Sequence, residues 1–556
     1  MSSVSTDTTA QPVDKNRWVS LGVLAAGLAM IVLDGTIVGV ALPAIISDLG
    51  LTLANAQWVN ALYSVVFAAL LMSFGRLGDM IGRQRLFIAG VAIFVVGSIM
   101  GALSGDATAL IVARAVQGVG GAMVLPSSLS TVNATFRGKD RAAAFGVWGA
   151  VMAGTAAIGP LLGGWLTTTF SWPWIFWVNL PVGILVIAGA LAFTRNTVGE
   201  QSGEGFDWLG LVLSILGFGL FVFSIIEGPS LGWWAPKADF TLGGWTWGTD
   251  KPVSFAAITL VAGLVFIGLF LGWQLVRGRA GKSVILNLSL FHIPTFSWGN
   301  LTAMAVAVGE FALVFVLPLF LVGVLGMTIM QAGWVLAGMA AGAFLSGAMA
   351  RHLSASLGAP KVVILGLVLE VIGVALTALF LRPNASGWLI GAVLAIYGVG
   401  LGLASAQLTS TVLGDVPPER SGQGSATQST VRQVGAAIGT AASGSALAAG
   451  LSYYLTRNLT AIGGMADAQI TKLVDATSAS VGGNLGGMRA AAAAGTLGPN
   501  GQAIVDALAS GFASASSLAV WVAVGFLVLG LIGSLRVAVA ARGRHPQDDQ
   551  SVPVAG

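Results

Sequence analysis

Three acidic residues stand inside long apolar stretches of this sequence, and they are the residues best suited to chemistry. They are Asp34, Glu310 and Glu370. An ionised carboxylate in hydrocarbon is costly unless it pairs with a cation or faces water, so each is a functional candidate. Reversible binding of a proton or of a cationic ligand is the chemistry they support. For Asp34 the alternative is a structural polar contact near the outer surface, and for Glu370 a neutral acid hydrogen-bonded between helices.

A basic residue, Arg114, lies inside another apolar stretch. At about 1.5 Å per residue, Arg114 lies about 9 Å and Asp34 about 12 Å below the same surface, so the two side chains can meet. A buried arginine stays charged and needs a partner. We expect a pair that substrate or conformation modulates, and the alternative is a static ion pair that fixes helix packing. Another intramembrane arginine, Arg432, is interpreted as structural, with its side chain reaching toward the inner surface.

The elements that must position these residues are apolar stretches of membrane length. The chain has 556 residues, of which 56% are hydrophobic and 9% charged, whereas a soluble protein carries about 25% charged residues. About 20 apolar residues span the hydrocarbon as a helix, because lipid offers the backbone no other partner. Fourteen stretches qualify: Trp18–Leu42, Ala54–Phe74, Leu86–Leu103, Thr108–Val132, Ala142–Leu166, Trp174–Phe193, Leu209–Ile226, Val253–Val276, Phe296–Leu321, Gln331–Ala350, Val362–Leu381, Trp388–Val412, Gly424–Leu451 and Ser516–Val539. The sequence therefore predicts an all-α polytopic membrane protein with fourteen transmembrane helices.

The loops between these stretches set the orientation. Eighteen Lys and Arg residues fall on the side of the loop Gly75–Arg85, and six fall on the other side. Basic loops stay cytoplasmic, and an even number of spans puts both termini on that side. The net charge of +4 thus reflects topology and does not indicate binding of nucleic acid.

Several functional classes lack the residues that they require. The chain has no cysteine and three histidines, so no thiolate or histidine cluster offers a metal site. No phosphate-binding loop of the type G-x-x-x-x-G-K-[ST] is present, which argues against a pump driven by ATP. A membrane-embedded enzyme would need a cluster of His, Cys or acidic residues near an interface, and none is found. The prediction is a protein that is not an enzyme and has no cofactor.

The loop Gly75–Arg85, GRLGDMIGRQR, resembles the loop between the second and third helices of major facilitator superfamily transporters. The pattern comprises Gly75, Leu77, Gly78, Asp79, Gly82 and Arg83. Its glycines allow close approach of the backbone. Asp79 can lie at the positive N-terminus of a helix in the opposite half of the protein. Together with Arg83 it is expected to lock an inner gate.

Three further motifs resemble members of that superfamily. Leu33–Pro43 resembles the first-helix signature of the fourteen-span drug:proton antiporter family, and Leu110–Ala122 resembles the fourth-helix motif of the superfamily. The third is the group Gly159, Pro160, Gly163 and Gly164, which resembles the antiporter motif. The last is similar to the motif that separates exporters from symporters in the superfamily. Small residues let helices approach closely, and a proline kinks a helix, so these four are candidates for a conformational gate. The alternative for them is ordinary tight packing in a chain with 78 glycines.

The resemblance implies two six-helix bundles plus two additional helices. The division expected is a cytoplasmic tail over 1–17, a bundle over 18–195, two additional helices over 205–276 with an outer loop at 228–252, a cytoplasmic linker over 277–295, a bundle over 296–540 with an outer loop at 452–515, and a tail over 541–556.

The resemblance also implies the function. We expect a monomeric exporter in the cell (inner) membrane that works by alternating access and expels lipophilic, often cationic, compounds. Protons moving down their gradient supply the energy, because a proton and a cation compete for the same carboxylate. The alternative with the same fold is a dedicated exporter of one metabolite, antibiotic or lipid. A receptor or scaffold that transports nothing is an alternative from another class, and it would not need both Asp34 and Glu310.

Overall fold

The computed structural model describes residues 16–136, 138–198, 206–242, 244–417 and 421–542. Most of both predicted tails therefore lies outside the described residues. The helices are α1 Arg17–Leu49, α2 Leu53–Ile81, α3 Arg83–Ala102, α4 Ala107–Thr135, α5 Gly138–Thr169, α6 Trp174–Trp177, α7 Asn179–Phe193, α8 Trp208–Leu231, α9 Phe255–Arg279, α10 Pro294–Gly323, α11 Ile329–Leu357, α12 Ala359–Phe380, α13 Gly387–Leu413, α14 Ser421–Thr460, α15 Asp467–Ala479, α16 Leu485–Ala493 and α17 Gly501–Arg542. A short hairpin pairs β1 Phe240–Leu242 with β2 Trp245–Trp247, and a single 3-10 turn covers Leu288–His292.

Membrane-length helices make up most of the chain. Within the described residues, thirteen helices are long and apolar enough to cross a membrane, with α6 and α7 counted as one span over Trp174–Phe193. Helix α5, with 32 residues, is a further helix of that length. The predicted all-α polytopic fold is confirmed, and the count agrees with the fourteen spans expected from hydropathy.

Helices α3 and α4 pack along a seam of glycines. A β-carbon at Gly120 of α4 would lie 2.5 Å from the backbone nitrogen of Phe94 and 2.7 Å from the carbonyl oxygen of Gly90. A β-carbon at Gly97 of α3 would lie 2.7 Å from the backbone nitrogen of Gln117. Only glycine fits at such distances, so the two backbones touch directly.

Helices α12 and α13 repeat this seam later in the chain. A β-carbon at Gly400 of α13 would lie 2.6 Å from the backbone nitrogen of Glu370 and 2.5 Å from the carbonyl oxygen of Gly366. A β-carbon at Gly373 of α12 would lie 2.6 Å from the backbone nitrogen of Tyr397. The same glycine spacing, seven residues on the first helix of each pair, gives the same helix contact in two parts of the molecule.

Close contacts also join the first and later helices. Gly39 of α1 packs on Val314 of α10. A β-carbon at Gly333 of α11 would lie 2.7 Å from the carbonyl oxygen of Pro160 in α5, and one at Gly164 would lie 3.2 Å from the α-carbon of Met330. These contacts lie in the parts of α1 and α5 from Asp34 and Pro160 onward.

The pair α8 and α9 docks on α2 and α14. The indole nitrogen of Trp58 in α2 donates to Oε1 of Glu227 in α8 at 2.8 Å. The hydroxyl of Ser445 in α14 donates to the carbonyl oxygen of Ile225 in α8. One face of α8 thus touches an early helix and a late helix together.

Helices fill much of the predicted outer loop 452–515. Helix α14 runs on to Thr460, α15 and α16 follow, and α17 begins at Gly501. The Arg489 side chain of α16 donates to the carbonyl oxygen of Val324 at the end of α10. The aromatic ring of Phe512 in α17 packs against Gly482 between α15 and α16. These contacts hold the segment against the ends of the long helices.

Candidate functional site

Asp34 and Arg114 form an ion pair in the interior of the early helices. Both residues are 1% exposed, and Nη1 of Arg114 donates to Oδ2 of Asp34. The same nitrogen donates to Oε1 of Gln117 at 2.7 Å, and Nε donates to the carbonyl oxygen of Val59 at 3.0 Å. The guanidinium carbon lies 4.4 Å from the centre of the Tyr63 ring, which adds a cation–π contact. The structure thus brings together the two residues that were predicted to meet because they lie at similar depths below the same membrane surface.

The second oxygen of Asp34 is satisfied by neutral donors. Oδ1 accepts from Nε2 of Gln117 at 2.8 Å and from Nδ2 of Asn179 at 3.2 Å. The hydroxyl oxygen of Ser98 accepts from the same two amides at 2.9 and 3.1 Å. Four helices, α1, α3, α4 and α7, therefore meet at one carboxylate. Hydrogen bonds to the charged form are what make a buried carboxylate tolerable.

Local sequence explains this placement. Asp106 begins α4 by accepting from the backbone nitrogen of Ala109 at 2.8 Å, and this N-cap fixes the helix start. Arg114 and Gln117 then lie three residues apart on one face. The sequence analysis did not identify Ser98 and Asn179 as members of this hydrogen-bond network. Each could have been found as the single polar side chain of an apolar span at a depth similar to that of Asp34.

Glu310 lies beside Arg432 in the later helices. Oε2 of Glu310 in α10 is 3.7 Å from Nη2 of Arg432 in α14. The Glu310 side chain is 16% exposed and the Arg432 side chain 40% exposed. Close packing of α14 on α10 sets this distance, since a β-carbon at Gly435 would lie 2.6 Å from the carbonyl oxygen of Met304. The interpretation of Arg432 as structural left out this acidic neighbour.

Glu370 is fully buried in α12, and no hydrogen bond reaches it within the described chain. Its exposure is 0%, and both carboxyl oxygens lack a partner among the described residues. The hydroxyl of Tyr397 in α13 is equally buried and equally without a partner there. Tyr397 was not singled out from the sequence.

The loop residues predicted to gate the inner side lie at the junction of α2 and α3. Gly82 breaks the two helices with a φ of 109°, a conformation that favours glycine. The backbone nitrogen of Arg83 donates to the carbonyl oxygen of Thr197 at 3.0 Å, and Nη1 of Arg83 donates to the carbonyl oxygen of Ser130 in α4 at 3.2 Å. Both contacts of Arg83 stay within the early helices.

The other members of this loop differ in what the structure says of them. A β-carbon at Gly75 would lie 3.5 Å from Cβ of Pro126, and one at Gly78 would lie 3.0 Å from Cδ2 of Leu86. The distance at Gly75 is an ordinary van der Waals contact, and the distance at Gly78 is a tight one. The side chain of Asp79 lies outside the described part of the chain, and its predicted contact with the opposite half stays a prediction.

The motif in α5 lies against α1 and α11. A β-carbon at Gly159 would strike Oγ1 of Thr36, and one at Gly163 would lie 2.9 Å from the carbonyl oxygen of Ile37. Gly164 and Pro160 face α11, as described above. The motif therefore presses α5 onto the helical turn that follows Asp34, so a shift of α5 must act on that turn.

Metal binding finds no support in the side chains that the structure describes. Among them, no group of three His, Cys, Asp or Glu side chains is placed to hold an ion.

Membrane-spanning helices with paired acids and arginines inside the bundle define a class of protein, the polytopic carriers that move small solutes. The family comparison is more specific. The model of the Major Facilitator Superfamily matches residues 24–440. The chain belongs to this superfamily, and the predicted membership is confirmed.

Two relatives illustrate the similarity. The chain is 32% identical over 447 residues to the Multidrug resistance protein Stp of Mycobacterium tuberculosis (strain CDC 1551 / Oshkosh), which covers 80% of this chain and 79% of the relative. It is 29% identical over 546 residues to the Tetracenomycin C resistance and export protein of Streptomyces glaucescens, which covers 96% of this chain and 93% of the relative.

A solved structure shares the fold. The crystal structure of a bacterial homolog to the human lysosomal transporter Spinster, inward-facing and unoccupied, matches with a TM-score of 0.62. The match covers 95% of this chain and 98% of that chain at 17% sequence identity.

Proposed function

We propose that this chain is a proton-coupled efflux antiporter that expels lipophilic, often cationic, compounds. The observation that carries the proposal is the presence of an acid beside an arginine in both parts of the bundle, Asp34 with Arg114 and Glu310 with Arg432. Buried acids in a membrane bundle mark ion and substrate pathways. A proton and a cationic compound that compete for these carboxylates couple the two movements.

The names of the relatives support the choice of cargo. One is named a multidrug resistance protein, and another is named a resistance and export protein for tetracenomycin C. Export is also consistent with the α5 motif, which is similar to the one that separates exporters from symporters in the superfamily. No cofactor is needed, because the proton gradient across the cell (inner) membrane supplies the free energy.

In an alternating-access cycle, each motif has a separate role. Gly159, Pro160, Gly163 and Gly164 allow α5 to pack on α1 and α11 when the outer side is closed. Gly75, Gly78, Asp79, Gly82 and Arg83 close the inner side in the other state. Protonation of the acids from outside and release of the proton inside would set the order of these states. The distribution of basic loops supports a cytoplasmic location of both termini.

A dedicated exporter of one metabolite is the second candidate. The specific support is the relative named for tetracenomycin C, because its similarity extends over 96% of this chain. A monomer suffices for either function. A panel of compounds of different charge and shape separates the two, since a multidrug exporter should move several unrelated members and a dedicated exporter one.

The test is efflux in inverted membrane vesicles that contain the protein. Ethidium, a fluorescent lipophilic cation, should accumulate against its gradient when the pH gradient is imposed. A protonophore should abolish this accumulation. Accumulation that persists unchanged after the gradient collapses would refute proton coupling. The same vesicles with other dyes and antibiotics then give the compound panel.

A further inference from the structure

Glu370 lies in a place where a charge is poorly tolerated. It is fully buried in the seam between α12 and α13, and neither oxygen has a hydrogen-bond partner among the described residues. A buried polar atom without a partner is destabilising, and an uncompensated buried charge is more so. A protonated carboxyl group avoids the charge and gains a donor of its own. The surroundings therefore favour the neutral form of Glu370.

The seam itself does not require an acid at this position. In the matching seam of α3 and α4 the corresponding residue is Phe94, whose backbone nitrogen approaches Gly120 as that of Glu370 approaches Gly400. A fully apolar side chain makes the same helix contact there. The backbone contact of the seam therefore does not depend on an acid at this position.

The hydroxyl of Tyr397 is available to that carboxyl group. Tyr397 and Gly400 lie one turn apart on α13, and they face Gly373 and Glu370 across the seam. A β-carbon at Gly400 would lie 3.0 Å from Cγ of Glu370, so the glycine fixes the direction of the glutamate side chain. Both unpartnered groups therefore emerge from the same seam within one helical turn of each other.

We propose that Glu370, with Tyr397 beside it, is a buried proton site where the coupled proton rests during transport. The proposal rests on the proposed proton-coupled function and assigns its proton to the later helices. Helix α13, which packs against α12, carries one titratable side chain, that of Tyr397. Helices α11 and α17, which also pack against α12, carry their described titratable side chains only toward their ends.

The transfer moves one proton. An O–H bond of a hydronium ion breaks as an O–H bond forms on the carboxylate of Glu370, and a water molecule is left. After the change of access the O–H bond of Glu370 breaks, and the proton passes to water on the other side.

Asp34 differs from Glu370 in its surroundings. Both oxygens of Asp34 accept hydrogen bonds from an arginine and two amides, whereas neither oxygen of Glu370 has a partner among the described residues.

Infrared difference spectroscopy of the purified protein tests the site. Addition of ethidium should change the carbonyl stretch of a protonated carboxyl group, and a pH indicator in weak buffer should record proton release. Glu370→Gln should remove both signals and retain ethidium binding. The matched control is Glu227→Gln near the outer end of α8, where the carboxylate already accepts from Trp58 and Ser230. That control should keep both signals.

Tyr397→Phe keeps the packing of the ring and tests the partner. It should leave the carboxyl signal in place but shift its frequency, because a polar hydroxyl next to the carboxyl group is removed. It also covers the case in which Glu370→Gln fails to fold. An unchanged frequency in Tyr397→Phe, or an unchanged carboxyl signal in Glu370→Gln, overturns the site.

The outcomes separate this inference from the proposed function. If the wild-type protein releases protons and Glu370→Gln releases as many, the site is wrong and proton coupling stands. If the wild-type protein releases none and its ethidium transport ignores the pH gradient, proton coupling itself is wrong.

Discussion

The early and the later helices of this carrier bury acids in opposite ways. Asp34 is surrounded by an arginine and two amides that use both of its oxygens. Glu370 lies in a matching helix seam with no hydrogen-bond partner among the described residues. A carboxylate whose oxygens are all hydrogen-bonded holds several helices together, whereas a carboxylate without partners can gain or lose a proton without breaking such a network. Equal burial therefore does not mean equal function.

The largest expected effect follows from removing one partner of the saturated pair. Arg114→Met would leave the charge of Asp34 buried without its cation, which costs about 3–5 kcal/mol. Thermal unfolding of the protein in detergent should show a strongly lowered midpoint. Arg432→Met is the matched control, and it should lower the midpoint far less because Arg432 and Glu310 are partly exposed. Equal losses would contradict the distinction between the two regions.

The contact next to Asp34 is expected to control movement rather than binding. Gly159→Leu would push on Thr36 in α1, because even a β-carbon strikes that side chain. Ethidium efflux from vesicles should be lost, while equilibrium binding of ethidium to the purified protein is retained. Gly219→Leu in α8 is the control, since a β-carbon there meets no atom within 4 Å. Normal efflux by Gly159→Leu would exclude the motif from the gate.

Charge at Glu310 should affect cargo according to its own charge. Glu310→Gln removes one negative charge from a partly exposed position, so a dicationic dye should lose about tenfold more transport than a monocationic dye, a difference of about 1.4 kcal/mol. Concentration dependence of efflux for one dye of each kind measures this. Equal losses for both dyes would argue against direct contact between Glu310 and the cargo.

The smallest expected effect is a gain in stability. Glu370→Leu replaces an unpartnered buried acid by an apolar side chain, as Phe94 already does in the matching seam, and should stabilise the protein by about 1 kcal/mol. Asp34→Leu should instead destabilise it, because Arg114 would lose its partner. Unfolding midpoints of the two variants give the comparison. A destabilised Glu370→Leu would mean that the acid serves packing after all.

The all-α polytopic fold could be predicted from the sequence, because hydropathy and the distribution of basic residues predict the number and the direction of the spans. The contact of Asp34 with Arg114 could also be predicted, since the constant rise of a helix converts residue counts into depth. The contact of Glu310 with Arg432 could not be predicted. That contact depends on which helices are neighbours and on their rotation, and neither follows from depth alone.

The repeated seam shows the same limit. Gly90 and Gly97, like Gly366 and Gly373, are seven residues apart, but in a glycine-rich chain this spacing does not stand out. Only the close approach of α12 to α13 places Tyr397 beside Glu370. The segment 452–515 is rich in Ala and Gly, so its hydrophobic periodicity is weak. Its helices α15 and α16 could therefore not be fully predicted from the sequence.

Uphill transport of ethidium in proteoliposomes, driven only by an imposed pH gradient, tests the central claim most directly. Wild-type protein should concentrate the dye in proportion to the gradient, while Glu370→Gln should let it reach only equal concentrations on both sides. Concentration of the dye by Glu370→Gln to the wild-type level would contradict the assignment of the proton to the later helices.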